Sequence, residues 1–303
     1  MTINSFYNYT CCPSCKNHLI TKSDLLFCDN EVCIQFGEVD YLKNGKPILI
    51  DFEKSLFCKS DLLSSDANSI VKRSILKNHF SGFIRKILNG DNKTTKKNLV
   101  NIVNNLNNIT DPKILIIGGG SIGAGIDILY KKFNDNIISF DVYDSDSVNF
   151  IGDCTSIPFK DNVFDFILIQ AVLEHVIDPN AVVDEIYRTL KLDGLVYAET
   201  PFLQHVHEGA YDFTRYTVLG HRILFKKFEK ISIGYIGGIG QSMIWSIEYF
   251  SRSLFRSKKI GKLFKLFFFW LRILELIIPH SYNEDGACGT FFYGTKSVSK
   301  KNK

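Results

Sequence analysis

Three glycines and one aspartate have the spacing of a site for a nucleotide-containing cofactor. Gly118, Gly120 and Gly123 form a G-x-G-x-x-G turn, and the lack of large side chains lets the backbone approach a ligand closely. The aliphatic run 113–117 precedes this turn, and apolar residues at helical spacing follow it. This order predicts a buried strand, a turn and a helix whose first N–H groups face the ligand. Asp141 follows a second apolar run, where a carboxylate can accept hydrogen bonds from ribose hydroxyls.

Four cysteines early in the chain have the spacing of a metal site. Two residues separate Cys12 from Cys15 and four separate Cys28 from Cys33, with 12 residues between the pairs. Four thiolates on two tight turns can close a tetrahedral zinc site, and a module this small needs metal to fold stably. We therefore predict a structural zinc. The Cys-Pro-x-Cys turn favours Cys12 over its neighbour Cys11 as a ligand.

A longer series of motifs separates two enzyme classes that share the glycine turn, the dinucleotide dehydrogenases and the S-adenosylmethionine enzymes. In order, the chain contains Gly152-Asp153, Ile157-Pro158-Phe159, Phe164-Asp165, Leu173-Glu174-His175 and Glu185 through Gly194. Over residues 113–202 this series resembles the class I S-adenosylmethionine-dependent methyltransferases, in the branch associated with glycan biosynthesis. One position departs from the family pattern, because Ile116 stands where many members carry an acidic residue. Only the glycine turn and Asp141 support a dehydrogenase.

The resemblance implies a doubly wound, Rossmann-like α/β fold with a seven-stranded sheet whose last strand is antiparallel. We place the sixth strand at 228–236 and the last at 289–296. Residues 1–52 resemble the zinc-ribbon modules found beside methyltransferase domains, and we expect them to form a strand, a turn and a second strand after the cysteines. The expected cofactors are therefore S-adenosylmethionine and a structural zinc ion.

The resemblance also implies a set of cofactor contacts. These are Gly118, Gly120, Asp141, Asp153, Cys154 and Gln170. The glycines would lie under the methionine and ribose, Asp141 on the ribose hydroxyls, and Asp153 on the adenine amino group. The alternatives are that Asp141 only ends a strand and that Asp153 is only a loop acid. Glu174 and His175 are interpreted as wall residues of the pocket.

The segment 205–217 is expected to hold the methyl acceptor, because strands of a doubly wound sheet present ligands at their carboxyl ends. A histidine suits the removal of a hydroxyl proton near neutral pH. We predict His207 as the base, with His205 as the second candidate and Asp212 as the group that orients it. Substrate contacts are predicted at Tyr211, Arg215 and Tyr216. In the alternative interpretation, Asp212 and Arg215 form a structural ion pair and the histidines only shape the loop.

Two further regions complete the predicted organisation. Residues 53–110 are expected to form a helical linker or cap, and 111–303 the methyltransferase domain. The linker is basic and is either a solvated helical face or a surface attracted to phosphate; its basic residues are Lys72, Arg73, Lys77, Arg85, Lys86, Lys93, Lys96 and Lys97. Residues 237–286 form an apolar and basic insertion, too long for a hairpin and without the long uncharged run of a bilayer span. The insertion is expected to pack or dimerise as a helical hairpin, with an interfacial membrane anchor as the alternative.

Composition agrees with a globular protein. The chain has 303 residues, of which 45% are hydrophobic, and a net charge of +4, which does not by itself indicate nucleic acid. The first residues lack the basic and apolar regions of a secretory signal, and the eight cysteines indicate a reducing compartment. We therefore expect a cytoplasmic protein, with peripheral association at the inner face of the membrane as an alternative.

The sequence thus favours O-methylation of a sugar, a glycan precursor or a related small metabolite. The runner-up is an RNA base methyltransferase, which can also join a zinc module to this fold. Against it, the chain lacks the interleaved aromatic and basic residues that bind single strands. The second alternative is a non-catalytic assembly protein at a membrane surface, built on a degenerate methyltransferase fold.

Overall fold

The computed structural model describes residues 6–64, 93–123, 125–207 and 211–297. Its main element is a sheet of eight strands in the order β10-β11-β9-β8-β5-β6-β7-β4. The strands are β4 (Ile48–Leu49), β5 (Ile114–Ile117), β6 (Ile137–Asp141), β7 (Phe150–Gly152), β8 (Phe164–Gln170), β9 (Leu190–Pro201), β10 (Glu229–Ile236) and β11 (Gly289–Thr295). β4 through β9 run parallel, and β11 pairs antiparallel with both β9 and β10. The predicted antiparallel last strand is therefore present.

Nine helices lie in the described part of the chain. They are α1 (Lys59–Ser64), α2 (Lys93–Leu106), α3 (Asp127–Phe133), α4 (Pro179–Thr189), α5 (Val218–Leu224), α6 (Ile239–Leu254), α7 (Lys258–Phe267), α8 (Leu271–Leu274) and α9 (His280–Asp285). The predicted basic linker is described only in part, because Lys72, Arg73, Lys77, Arg85 and Lys86 lie outside the described residues.

The central strands are buried because their side chains have apolar neighbours on both faces. All four residues of β5 are buried, as expected for a parallel strand covered by helices on both sides. On one face, α2 packs Leu99, Ile102 and Leu106 against a cluster that includes Ile116 of β5. On the other face, α4 contributes Val182 and Ile186. The sheet is therefore a rigid base for the loops at its carboxyl edge.

The helix predicted directly after the glycine turn begins later than expected. The apolar residues after the turn were expected to form a helix at once, but the Ile122 side chain is 57% exposed and the helix α3 starts at Asp127. Gly118 and Gly125 have φ angles of 76° and 86°, in the left-handed region that a right-handed helix does not use. Residues 121–123, 125 and 126 are accordingly not helical.

The sheet has eight strands rather than the predicted seven. The expected turn of the N-terminal module is present, because Tyr41 bridges Pro47 in antiparallel fashion and Ile48 N–H donates to the Asp40 carbonyl oxygen. In addition, Ile48 and Leu49 pair in parallel with Ile151 and Gly152 of β7, which was not expected. Three consecutive apolar residues have no polar face to leave in water, and Ile48 and Ile50 are buried with Val148 and Ile151.

The N-terminal module has its own three-stranded sheet and shares the main core. Its strands are β1 (Ile20–Lys22), β2 (Leu25–Cys28) and β3 (Gly37–Glu38), paired antiparallel. Phe6, Leu19 and Leu26 belong to the same buried cluster as the sheet residues Phe150 and Phe164.

The predicted insertion is helical, as expected, and its helices α6 to α9 pack on one another. Gly261 of α7 lies against the α6 backbone, since a Cβ there would come within 2.8 Å of the Glu248 carbonyl oxygen. The Lys265 ammonium pairs with the Glu248 carboxylate at 3.1 Å. Large apolar side chains remain exposed along α7 and α8, including Leu263, Phe267 and Ile273. None of the described helices is long and apolar enough to cross a membrane.

Candidate functional site

A cavity of about 1280 Å³ opens at the carboxyl edge of the parallel strands. Of the residues selected from the sequence, the cavity is lined by Gly118, Asp141, Asp153, Cys154, Gln170, His205, His207 and Tyr211. Gly120, Asp212, Arg215 and Tyr216 are not among the lining residues. Single-ligand pockets are typically about 300–1,000 Å³, so the cavity is large enough for a cofactor and an acceptor together.

The glycine turn forms the floor of one half of this cavity. At Gly118, a Cβ atom would lie 2.1 Å from a methyl group of Val172, and the positive φ also favours glycine. Gly120 N–H donates to Asp141 Oδ2 over 2.8 Å. Asp141 also accepts a longer bond from Tyr143 N–H at 3.3 Å. These bonds fix the Asp141 carboxylate against the turn, at the rim of the cavity.

Asp153 and Cys154 follow β7 and form a second wall. Asp153 Oδ1 accepts from Thr155 N–H at 2.9 Å, and Oδ2 accepts from the Ser55 hydroxyl at 2.6 Å. Burial raises the pKa of the Cys154 thiol well above its usual value. Cys154 is therefore a neutral thiol in the wall, while Asp153 presents a carboxylate whose orientation is set by its neighbours.

The linker contributes an aromatic edge to the same half. The ring of Phe57 lies 5.7 Å from that of Tyr211 and 6.5 Å from that of Tyr143, and all three residues line the cavity. The sequence analysis expected the linker to cap the pocket but did not single out Phe57 or Tyr143. Flat apolar rings beside polar groups suit the faces of a heterocyclic base.

Glu199, near the end of β9, is a functional candidate that the sequence analysis did not select. It is buried, lines the cavity and accepts hydrogen bonds from Gln170 Nε2 at 2.5 Å and the Tyr197 hydroxyl at 2.6 Å. A hydrogen bond from Thr95 of α2 completes the set. Burial raises the pKa of Glu199. No local motif marks it, because its partners come from three separate parts of the chain.

His175 and His207 line the other half of the cavity, and Glu174 is buried next to both. The predicted wall role thus holds for His175, whereas Glu174 is not among the lining residues. Glu174 Oε1 lies 3.6 Å from His175 Nε2 and 4.0 Å from His207 Nε2. The two imidazole rings have centroids 5.0 Å apart and planes at 74°. His207 Nδ1 lies 3.4 Å from Asp212 Oδ2, so the predicted pair of His207 and Asp212 is brought together.

Asp212 is held from the side opposite His207. Arg215 forms two bonds to the Asp212 carboxylate, of which the Nη2–Oδ2 bond measures 3.0 Å. Arg215 Nε donates to the Gln204 carbonyl oxygen at 3.0 Å. Burial raises the pKa of Asp212, but the hydrogen bonds from Arg215 and from His207 N–H outweigh it and hold the pKa at about 2. The structure therefore contains the Asp212–Arg215 ion pair that was left open as an alternative.

The two remaining predicted residues have other neighbours. The ring of His205 stacks on Tyr249 of α6, with centroids 4.3 Å apart, and burial lowers its pKa. Tyr216 stacks on the buried His221 with centroids 6.0 Å apart. His205 thus lies where the insertion meets the cavity.

The four predicted cysteine ligands converge in the N-terminal module. The sulfurs of Cys12, Cys15, Cys28 and Cys33 all lie within 4.8 Å of one another. The Cys12–Cys33 and Cys15–Cys28 sulfur pairs are both 3.7 Å apart. A tetrahedral zinc with Zn–S bonds of about 2.3 Å separates its sulfurs by about 3.8 Å, so this donor set fits the ion.

One segment of the chain matches a known protein family. Residues 126–198 match the family model described as a methyltransferase domain. These residues include Asp141, Asp153 and the strands β6 to β8, together with most of β9. No curated protein matches the chain.

Several solved structures are similar at low identity. One is a putative sarcosine dimethylglycine methyltransferase from Galdieria sulphuraria, with 16% identity and a TM-score of 0.43 over 67% of this chain and 86% of that one. Another is a phosphoethanolamine N-methyltransferase 2 of Haemonchus contortus in complex with S-adenosyl-L-methionine, with 14% identity and a TM-score of 0.47 over 77% of this chain and 60% of that one. A third is a Haloferax volcanii complex of the Trm112 activator and a putative methyltransferase, with 17% identity and a TM-score of 0.41 over 62% and 84%. None of these identifies the acceptor of this protein.

Proposed function

We propose that this protein is an S-adenosylmethionine-dependent methyltransferase that methylates a hydroxyl of a sugar, a glycan precursor or a related small metabolite. The observation that carries the proposal is that Asp141 and Asp153 line the same cavity, within the segment that matches a methyltransferase domain. Both carboxylates follow parallel strands, where doubly wound sheets bind their ligands.

The cofactor half of the cavity suits the parts of S-adenosylmethionine. Asp141 would accept from the ribose hydroxyls and Asp153 from the adenine amino group, with Phe57 and Tyr143 beside the base. Gly118 leaves room for the chain that joins the ribose to the methionine. The bound cofactor supplies an electrophilic methyl group on sulfur, and the residues of the protein hold and align the two reactants.

The acceptor half suits a hydroxyl that must lose a proton. His207 would take this proton at Nε2 while Asp212 holds its Nδ1 side, as expected of a general base. The O–C bond forms as the S–C bond breaks, and the electron pair of the S–C bond remains on sulfur. Tyr211 lines the cavity and is available to contact the acceptor. Arg215 supports this half through Asp212 rather than by lining the cavity.

We further propose that the four cysteines hold a structural zinc ion. The sulfur separations match a tetrahedral site, and four thiolates leave no coordination position for a substrate. The role of the insertion and the cytoplasmic location, with or without contact to the inner face of a membrane, stay predictions.

The test measures cofactor binding and methyl transfer separately. We expect S-adenosylhomocysteine to bind in calorimetry and NAD not to bind. Asp141→Asn should weaken that affinity at least about tenfold, which is about 1.4 kcal/mol. Asp146→Asn, an exposed acid in the following loop, serves as the matched control and should leave the affinity unchanged.

Labelled methyl transfer is then measured into host glycan, lipid and RNA fractions. Label in the glycan or small-metabolite fraction supports the proposal, whereas label only in RNA supports the runner-up. NAD binding alone would overturn the methyltransferase proposal. Tight binding of S-adenosylhomocysteine with no label in any fraction would support a non-catalytic protein instead.

A further inference from the structure

A carboxylate and two imidazoles surround one point in the acceptor half of the cavity. Glu174 and His175 lie in the short turn after β8, and His207 lies in the loop after β9. One ligand atom from each residue lies within 4.8 Å of the other two. Both histidines line the cavity, so the point between them is accessible to a ligand.

The far nitrogen of each histidine contacts an acceptor. His175 Nδ1 hydrogen-bonds the carbonyl oxygen of Tyr211, and a carbonyl can only accept. His207 Nδ1 lies 3.4 Å from Asp212 Oδ2 and 3.4 Å from the carbonyl oxygen of His205. If each Nδ1 carries the proton that its acceptor requires, the Nε2 lone pairs are free to bind a ligand, and both Nε2 atoms lie near Glu174. Histidines that bind metal are usually oriented by this kind of outer hydrogen bond.

The distances are close to those of a metal site. Metal–nitrogen and metal–oxygen bonds of about 2.1 Å give ligand separations of about 3.4 Å around a tetrahedral ion. The Glu174–His175 separation of 3.6 Å is near this value, and the Glu174–His207 separation of 4.0 Å requires a shift of about half an ångström. His207 is in a surface loop, where such a shift is cheap.

The charge balance also favours a cation. The Glu174 side chain is fully buried beside the two imidazoles, so a cation there would be close to a carboxylate in a site largely shielded from water. The nearby Asp212 carboxylate pairs with Arg215. A divalent ion at the point between the three residues would have coordination positions that face the cavity.

We propose that Glu174, His175 and His207 bind a divalent transition-metal ion that holds the acceptor oxygen. Two imidazoles and one carboxylate suit manganese, iron or zinc, and differ from the thiolate set of the N-terminal module. The proposal rests on the proposed function for its role. A metal-bound hydroxyl has a lowered pKa. With the ion bound, the acceptor proton would leave to water at the cavity mouth and His207 Nε2 would be a ligand. The role of His207 as base in the proposed function then applies to the metal-free protein.

The test uses the full-length protein with zinc in its cysteine site and titrates Mn²⁺ by electron paramagnetic resonance. Mn²⁺ prefers oxygen and nitrogen ligands, so it should not displace zinc from four thiolates. We expect one Mn²⁺ per chain. His175→Asn and His207→Gln should each weaken its affinity at least tenfold, while His280→Gln, on the insertion, should not change it. Retained binding of S-adenosylhomocysteine shows that each variant is folded.

The outcomes separate this proposal from the proposed function. Absence of Mn²⁺ binding, or equal affinity in wild type and both site variants, would overturn the metal site even if methyl transfer proceeds. Mn²⁺ binding that depends on the two histidines, without methyl transfer into any fraction, would leave the metal site standing and remove the proposed role in methylation.

Discussion

The two clusters of side chains that could hold a metal ion differ in what surrounds them. The four cysteines come from one module of the chain, and Cys12 and Cys28 belong to the buried core. Glu174, His175 and His207 come from two loops; the two histidines line a cavity, and Glu174 is buried next to them. The first donor set closes a tetrahedron of sulfurs, whereas the second has three donors and an open side.

This difference indicates that the cysteine cluster contributes to stability and that the cluster at the cavity contributes to the reaction. A closed set contributes its binding energy to folding, as structural zinc sites do. An open set can exchange a ligand, and it therefore belongs where the chemistry occurs. The cysteine module also contacts the methyltransferase-like domain, because it packs on the segment that follows Asp153 and on helix α4. The Ser156 hydroxyl donates to the Pro13 carbonyl oxygen at 2.6 Å, and Lys16 pairs with Glu185 at 2.9 Å.

The largest expected effect comes from substituting a cysteine of the closed cluster, which consists of Cys12, Cys15, Cys28 and Cys33. Cys28→Ser should release zinc and destabilise the module. Because Phe6, Leu19 and Leu26 share the main core, the whole chain should lose several kcal/mol of unfolding free energy. We expect Tm to fall by about 10 °C or more in differential scanning calorimetry, with loss of zinc in elemental analysis.

Cys58→Ser is the matched control, since Cys58 is exposed and outside the cluster. It should retain both zinc and Tm. If Cys28→Ser keeps the wild-type Tm after losing zinc, the closed cluster does not stabilise the fold, and the contrast between the two clusters fails.

A substitution in the open cluster, which consists of Glu174, His175 and His207, should reduce activity and leave stability almost unchanged. His207→Ala removes a loop side chain that is 26% exposed, so the unfolding free energy should change by no more than about 1 kcal/mol. Turnover should fall by about 10²–10⁴-fold, because the acceptor loses either its base or its metal ligand. Single-turnover methyl transfer with saturating cofactor measures the loss, and calorimetry checks that cofactor affinity is retained.

His280→Ala is the control for this change, because His280 lies on the insertion and does not line the cavity. Full activity in His207→Ala would remove this residue from both proposed roles. A fall in Tm as large as that of Cys28→Ser would instead show that the loop is structural, and the two clusters would no longer differ in kind.

The framework of the sheet could be predicted because its strands are continuous apolar runs. The turn at Gly118 and the acids after β6 and β7 were also found at the cavity, since the sites of parallel sheets are fixed by strand ends. The pairing of β4 with β7 was not predictable from residues 48–50, because an apolar tripeptide fits a hairpin or a sheet edge equally well.

The open cluster could not be recognised from its spacing. His175 and His207 are far apart in sequence, and their meeting depends on the conformation of two loops. The adjacency of β8 and β9 places both loops at one edge of the sheet, but it does not set the direction of the imidazoles. The orientation of the two imidazoles is set by hydrogen-bond partners, the Tyr211 carbonyl oxygen for His175 and the Asp212 carboxylate for His207. The first contact joins residues far apart in sequence, and the second depends on the conformation of the loop.

The smallest expected effect concerns His221, which belongs to neither cluster. This histidine shows how burial alone changes a pKa and, through it, the pH dependence of stability. It is fully buried, with Nδ1 at 3.2 Å from the Thr290 hydroxyl, and burial lowers its pKa to about 3. The unfolded chain takes up this proton below about pH 6.5, whereas the folded chain stays neutral, so stability is complete above that pH and declines as the pH falls towards 3. Between pH 7 and 5.5 the loss should be about 1.3 kcal/mol, measured by urea unfolding. His221→Gln should remove this part of the slope, and an unchanged slope in the variant would assign the acid sensitivity to other groups.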